Sequence, residues 1–296
     1  MRRSFADRFL GGYALAVYAF LFAPILVVVV FSFNAGRHVA ELTGLSLRWY
    51  EEAWTNQFVL RAFRTSLGIA TVSATIATVL GTSSALAMQA VGRRTRAVYQ
   101  QLSAVAIVVP GIVIGISTLI FFVMFFDWAN AWFAYLWPTA TPPRLGLGAH
   151  TVIGAHSLFT MAIVNVLVRT RLAGMDRSLV EASEDLYATP VRTLFQVTLP
   201  QLQPAIIAGF LLAFTFSFDD FIVAFFTRGQ AQTLPIFLFA SIRRGVTPVV
   251  NAVASVLLVV TVSLLSTAWY VLERRGRRLA STVAQVATEP ASEAAA

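Results

Sequence analysis

Apolar residues fall into six long runs separated by shorter polar segments, and this alternation organises the chain. The runs are Leu10–Phe33, Thr65–Gly92, Ala97–Phe126, a stretch within Leu145–Val168, Ala205–Thr227 and Val246–Leu272. A helix needs about 20 residues to cross a bilayer. The pattern therefore predicts six transmembrane helices and an all-α integral membrane protein. Several runs exceed the required length, so their embedded parts are shorter or the helices tilt. The first run carries no charge, and Ala14-Leu15-Ala16 lies ahead of most of it, which predicts an uncleaved anchor rather than a signal peptide.

Composition agrees. Only 12% of the 296 residues are charged and 57% are hydrophobic, against roughly 25% charged in soluble proteins. The mean hydropathy is +0.74. The net charge of +8 is the balance of 22 basic residues, all arginine, against 14 acidic ones. The arginines sit in short clusters at the ends of the apolar runs, a pattern of membrane anchoring rather than nucleic-acid binding. With the N-terminus inside, fourteen arginines fall in inner segments and eight in outer ones, which places both termini in the cytoplasm. Cysteine is absent, which excludes a disulfide framework and a thiolate nucleophile.

Residues 177–200, RSLVEASEDLYATPVRTLFQVTLP, are polar and lie between the fourth and fifth runs, on the inner side. Ser178 and Glu181 have capping-box spacing. Glu181, Glu184 and Asp185 suit the positive end of a helix dipole. Thr189-Pro190 opens a second short helix with Pro at its first position, and Pro200 closes the segment. Such a helix pair either joins two spans or is gripped by a cytoplasmic partner; spacing alone leaves both open.

Three further segments complete the map. Trp49–Trp54 in the first outer loop predicts a short interfacial helix, and the second outer loop, Asp127–Arg144, carries the aromatic belt candidates Trp128, Trp132, Phe133, Tyr135 and Trp137. The small, polar tail reads as disordered. The chain divides into 1–60 (tail, first span and outer loop), a core at 61–272, and the cytoplasmic tail at 273–296.

Asp219 and Asp220 lie inside an apolar run. Intramembrane carboxylates cost about 2.5–3.5 kcal/mol each at mid-bilayer, and they mark paths for polar, here cationic, solutes. Adjacent helical positions diverge by about 100°, so one of the two lines a path while the other caps or pairs. An alternative places both at the outer interface. Pro110-Gly111 breaks the third run, either to line a path or as a packing kink. The Gly81–Ser84 segment is no phosphate loop, and no metalloprotease, nucleophile-elbow or Walker signature is present. His150 and His156 read as satisfied polar residues. Energy for transport must then come from an ion gradient or a partner NTPase.

Glu181-Ala182-Ser183, Tyr187 and Val197-Thr198-Leu199-Pro200 together resemble the EAA loop of binding-protein-dependent ABC transporter permeases. Ser183 stands where the family has Ala, and Tyr187 where it has Gly. Pro24-Ile25 through Asn34, Leu211–Thr215 leading to Asp219-Asp220, Leu234-Pro235 and residues 244–252 resemble the spermidine/putrescine subgroup. The likeness covers roughly 13–275. It implies a type I importer permease (MetI-like) fold with no cofactor. Its implied partners are a second homologous permease, two copies of a cytoplasmic ATPase and a periplasmic substrate-binding protein. Glu181, Ala182, Ser183, Tyr187, Leu199 and Pro200 would form the ATPase-coupling element, and Asp219, Asp220 and Pro110 the translocation-path candidates. The rival readings are the same machine for an opine, an amino-acid derivative or ferric iron; an ion-coupled secondary transporter, which predicts inverted repeats; and an intramembrane enzyme, which needs a Ser/His pair or two Asp on separate spans.

Overall fold

The computed structural model describes residues 5–37, 41–137, 144–245 and 247–288. Arg2, Arg3, His38, Val246, the loop centre at 138–143 and the tail at 289–296 lie outside the described residues. The helices are α1 (Phe5–Ser32), α2 (Arg48–Thr55), α3 (Gln57–Ala90), α4 (Arg93–Val108), α5 (Gly111–Leu136), α6 (Ala149–Ala173), α7 (Ser178–Asp185), α8 (Pro190–Thr193), α9 (Leu199–Asp219), α10 (Ile222–Thr227), α11 (Leu234–Arg244) and α12 (Pro248–Thr288). Among the described residues, six segments are long and apolar enough to span a membrane: Phe9–Ser32, Gln57–Ala90, Gly111–Leu136, Ala149–Ala173, Pro190–Asp219 and Pro248–Tyr270.

The chain forms two compact units. The first comprises residues 1–64 and 234–260, whereas the division read from sequence placed 234–260 in the 61–272 core. Asn34 pins its loop: its amide nitrogen donates to the Glu41 carbonyl at 2.7 Å, and its amide oxygen accepts the Thr43 N–H at 2.9 Å. The expected helix at Trp49–Trp54 is present as α2, but it does not simply lie at an interface. Trp49 is buried and donates its indole N–H to the Asn34 carbonyl at 2.6 Å. Ala53, Val59 and Ala62 pack with Leu234, Leu238, Val250 and Val253. The apolar window of α1 is not buried against the chain at all, as suits a helix apolar on every side and immersed in lipid.

The second unit comprises residues 65–233 and 261–296 and is centred on α6, which packs against α9, α10, α4 and α5. Small residues permit the approach. Val164 of α6 lies between Gly81 of α3 and Gly209 of α9; a Cβ on Gly81 would stand 2.8 Å from Val164 Cβ and 2.9 Å from the Met161 carbonyl oxygen. Asn165 Nδ2 donates to Ser84 Oγ at 2.8 Å beside this crossing. Gly81–Ser84 is thus a packing segment, in the small-residue style of membrane helix interfaces.

Three sequence expectations need correction. The third run is two helices, because Pro110 stands extended (ψ 134°) between α4 and α5. The spanning segment is Gly111–Leu136 rather than Ala97–Phe126, so residues 127–136 of the expected outer loop are helical. That stretch contains neither Gly nor Pro, and nothing stops the helix. The fifth run begins earlier, at Pro190, and Pro200 does not end the loop. It occupies the second position of α9, and a π-turn at Leu194–Thr198 precedes it, with Leu199 N–H bonded to the Leu194 carbonyl. Widening the turn accommodates the amide hydrogen that proline lacks. Finally, α12 runs to Thr288, so the tail expected to be disordered from 273 is helical that far. Its Arg, Ala, Leu and Gln content favours helix.

Candidate functional site

The segment 177–200 folds as the paired helices α7 and α8 that its punctuation predicts, but its first cap differs. Ser178 is already helical, Arg177 occupies the cap position, and no side-chain cap bond forms there. Instead the Asp176 carboxylate accepts the Ser178 N–H at 2.9 Å. That bond, with a second from the Ser178 hydroxyl, holds the Asp176 carboxyl below its ordinary value. The Ser178/Glu181 capping box does not form: the Ser178 N–H, which the box would give to the Glu181 carboxylate, goes to Asp176, and the Glu181 N–H, which the box would give to the Ser178 hydroxyl, goes to the Arg177 carbonyl at 3.0 Å. Glu181 is left exposed beside Ala182.

The C-terminus of α7 closes as a Schellman motif. Tyr187 N–H bonds the Glu184 carbonyl at 2.9 Å, and Ala188 N–H bonds the Ser183 carbonyl at 3.0 Å. This motif needs a left-handed residue after the cap, and Tyr187 supplies it with φ +55°. Glycine is the usual occupant of such a position. Tyr187 tolerates it because its ring stands 96% exposed and meets no obstruction. Ser183 faces the other way. Its hydroxyl donates to the Val180 carbonyl at 2.7 Å and pairs with Thr193 Oγ1 at 2.9 Å, both residues buried. The substituted serine therefore ties α7 to α8. Thr189 accepts the Arg192 N–H at the start of α8, with Pro190 at its first position. Leu199 is half-buried and Pro200 exposed. The outer surface presents Glu181, Glu184 and Asp185 alongside the exposed side chains of Leu179, Leu186, Tyr187, Val191 and Phe195. Acidic and large apolar side chains together on a compact helix pair make a surface suited to a protein partner.

The second cluster lies where α9 stops. Asp219 ends the helix, and Asp220 turns extended at φ −65°, ψ 126°. Asp220 Oδ2 accepts the Ala224 N–H at 2.9 Å, capping α10, and lies 3.3 Å from His156 Nε2. His156 is wholly buried, its Nδ1 is 2.7 Å from Ser217 Oγ, and Phe159 packs edge-on against its ring. The ring thus stands between two neighbours, with Nδ1 at the Ser217 hydroxyl and Nε2 turned toward the carboxylate. Asp219 is exposed, and among the described residues it enters no ion pair. The break at Pro110 lies nearby: a Cβ on Gly111 would come within 3.9 Å of Ile222. Two interrupted helices thus meet beside the carboxylates, an arrangement tolerated within membranes where backbone lines a cavity or is buried in protein.

His156 escaped the sequence reading, which set it aside as an ordinary polar residue. The available signal was an ionisable side chain within an apolar span. Its residues also match the Ser/His pair that an intramembrane enzyme needs, yet the geometry opposes that chemistry. Ser217 is only 4% exposed. It bonds Nδ1 while the aspartate faces Nε2, the reverse of a nucleophilic triad.

Residues 77–278 match the family described as "Binding-protein-dependent transport system inner membrane component". The putrescine transport system permease protein PotI of Escherichia coli (strain K12) is 38% identical over 259 residues, spanning 87% of this chain and 88% of PotI. The spermidine/putrescine transport system permease protein PotC of that strain is 33% identical over 252 residues, spanning 85% and 89% respectively. A solved bacterial ABC transporter involved in the import of the acidic polysaccharide alginate matches with a TM-score of 0.69, covering 91% of this chain and 96% of its own at 12% identity. An amino acid ABC transporter solved with histidines gives a TM-score of 0.52, covering 76% and 97% at 16% identity. At such identities the structural likeness is one of fold.

Proposed function

The chain belongs to the binding-protein-dependent transport system inner membrane components, and from that premise we propose that it carries polyamines, putrescine or spermidine, through an ATP-driven importer. Its fold is that of a type I importer permease (MetI-like), in a multi-pass protein of the inner membrane. The likeness to PotI and PotC over most of their lengths supports the substrate class. The observation that carries the reading is Asp219, an exposed carboxylate at the helix break that ends the fifth span. Such a group suits a path taken by amine cations.

In this reading both termini and the 177–200 loop are cytoplasmic. A periplasmic binding protein delivers the solute to this chain and a second homologous permease. Two copies of an ATPase grip the α7–α8 pair through Glu181, Ala182, Tyr187 and their neighbours. Leu199 and Pro200 lead the movement into α9, where ATP-driven closure swings the spans from inward- to outward-facing. Ser183 holds the pair rigid, so that force on α7 reaches α8.

Purification of the tagged chain from solubilised membranes tests this directly. A second permease and an ATPase are expected to accompany it, and the binding protein to take up polyamines in titration. Glu181→Lys is expected to abolish substrate-stimulated hydrolysis or ATPase co-purification. Normal behaviour of that variant refutes the coupling role, and a binding protein selective for another solute refutes the polyamine assignment.

A further inference from the structure

We propose that the adjacent carboxylates have separate tasks, and that His156 and Ser217 are the positioning residues that separate them. Asp220 is reserved for the helix break, and Asp219 alone meets the cationic solute. This rests on the transport reading above.

The two aspartates are consecutive in the chain, yet their side chains are differently engaged. Asp220 is committed twice through one oxygen. Oδ2 caps α10 at Ala224 and faces His156 Nε2 at 3.3 Å. His156 has no exposed surface, and its Nε2 is buried and pointed at this carboxylate without a well-aligned hydrogen bond. The ring cannot swing away, because Ser217 Oγ holds Nδ1 at 2.7 Å and Phe159 flanks it. Ser217 belongs to the last turn of α9 itself. The imidazole of α6 therefore clamps both sides of the break: Ser217 before it and Asp220 after it. A carboxylate held by a buried imidazole and a backbone amide is poorly placed to bind and release a passing cation.

Asp219 sits on the last residue of α9 and faces outward. An ionised side chain does not remain turned toward hydrocarbon; it faces water or a partner subunit. Because the backbone turns extended at the next residue, Asp219 is carried on the end of a rigid helix whose direction His156 fixes through Ser217. The prediction is asymmetric. An amide at 220 can still cap Ala224 and face His156, since asparagine caps helices as well as aspartate. An amide at 219 removes the charge the solute needs.

The test is radiolabelled putrescine uptake into proteoliposomes holding the whole importer, supplied with loaded binding protein, with ATP hydrolysis followed in parallel. Asp219→Asn is expected to lower uptake about tenfold or more, the loss of a charge-assisted contact, with assembly and stimulated hydrolysis retained. Asp219→Glu should recover most of it. Asp220→Asn should stay within about twofold of the parent, as a conserved cap implies. His156→Gln, which keeps a donor for Asp220, should retain most uptake, whereas His156→Leu should lose it. Ser217→Ala provides a milder version should His156→Leu fail to assemble, and a severalfold loss is expected. Equal losses in Asp219→Asn and Asp220→Asn, or a loss confined to Asp220→Asn, overturn the division of roles and leave the transport reading standing. Unchanged uptake in both also overturns it. Equal uptake by His156→Gln and His156→Leu overturns the positioning role. Failure of the unmutated importer to take up putrescine overturns the polyamine reading and this assignment with it.

Discussion

Replacing Ser183 by Ala isolates the link between the two loop helices. The Ser183 and Thr193 hydroxyls lie 2.9 Å apart and are 9% and 7% exposed, so water does not readily replace a lost partner. Ser183 donates to the Val180 carbonyl, which leaves Thr193 as donor in the pair. Ser183→Ala removes two hydrogen bonds, the one to the Val180 carbonyl and the one from Thr193, each worth about 0.5–1.5 kcal/mol, and strands the Thr193 hydroxyl at an additional cost approaching 1 kcal/mol. Thr193→Val alone loses only the bond between the two hydroxyls. The double variant strands nothing, because both partners become apolar, and the expected coupling energy is about 1 kcal/mol. Hydrogen exchange over 178–193 reads local opening of this element, and each 1 kcal/mol corresponds to about fivefold faster exchange. The two single variants should therefore accelerate exchange severalfold, and the double by clearly less than their product. If the effects simply multiply, with coupling below about 0.3 kcal/mol, the hydroxyl pair does not join the helices. Substrate-stimulated hydrolysis in the assembled importer should fall in the singles and stay low in the double, which lacks the tie as well.

Three further outcomes follow from the geometry. Tyr187→Gly relieves a left-handed φ of +55° that costs about 1–2 kcal/mol, offset by about 0.4–1 kcal/mol of added freedom in the unfolded chain. Exchange at the end of α7 should slow about twofold, and Tyr187→Val should speed it. Gly81→Ala places a methyl against Val164 and the Met161 carbonyl and should cost about 1–3 kcal/mol as overpacking; a lowered thermal midpoint in detergent, partly restored by adding Val164→Ala, checks it. The Asp176 carboxyl is held low in the folded loop, so its cap is complete above the unfolded carboxyl value and is lost as pH falls through the folded one. The α7 amides should then show no pH-dependent opening between about pH 5 and 8 beyond intrinsic exchange, with loosening only below about pH 4. Asp176→Ala should loosen α7 at pH 7, and Asp176→Asn should restore it.

Which features were legible in the sequence depended on whether their cause was local. Six spans follow from run length against bilayer thickness, a one-dimensional comparison. The turn at 187 was only partly legible: the family motif has Gly there and Tyr187 departs from it, and the left-handed φ of +55° came from the structure. Boundaries drifted where a local competitor went unweighed: the Asp176 carboxylate took the Ser178 amide, and a π-turn let the helix run past Pro200. The roles of Asp219 and Asp220 had no such local cause. Their difference is set by His156, which is 61 residues from Ser217 in the chain and meets it only because α6 packs on α9. Apolar periodicity cannot announce that meeting inside a membrane, since lipid-facing and helix-facing positions are alike in hydrophobicity. What decides it is how closely backbones approach, through Gly81, Val164 and Gly209. The sequence alone therefore determined that the chain spans the membrane and where its loop turns, because these depend on hydrophobicity and backbone preference along a single segment. Only the tertiary structure decided which carboxylate is held and which is presented, because hydrogen-bond geometry between distant segments exists only once the helices are packed.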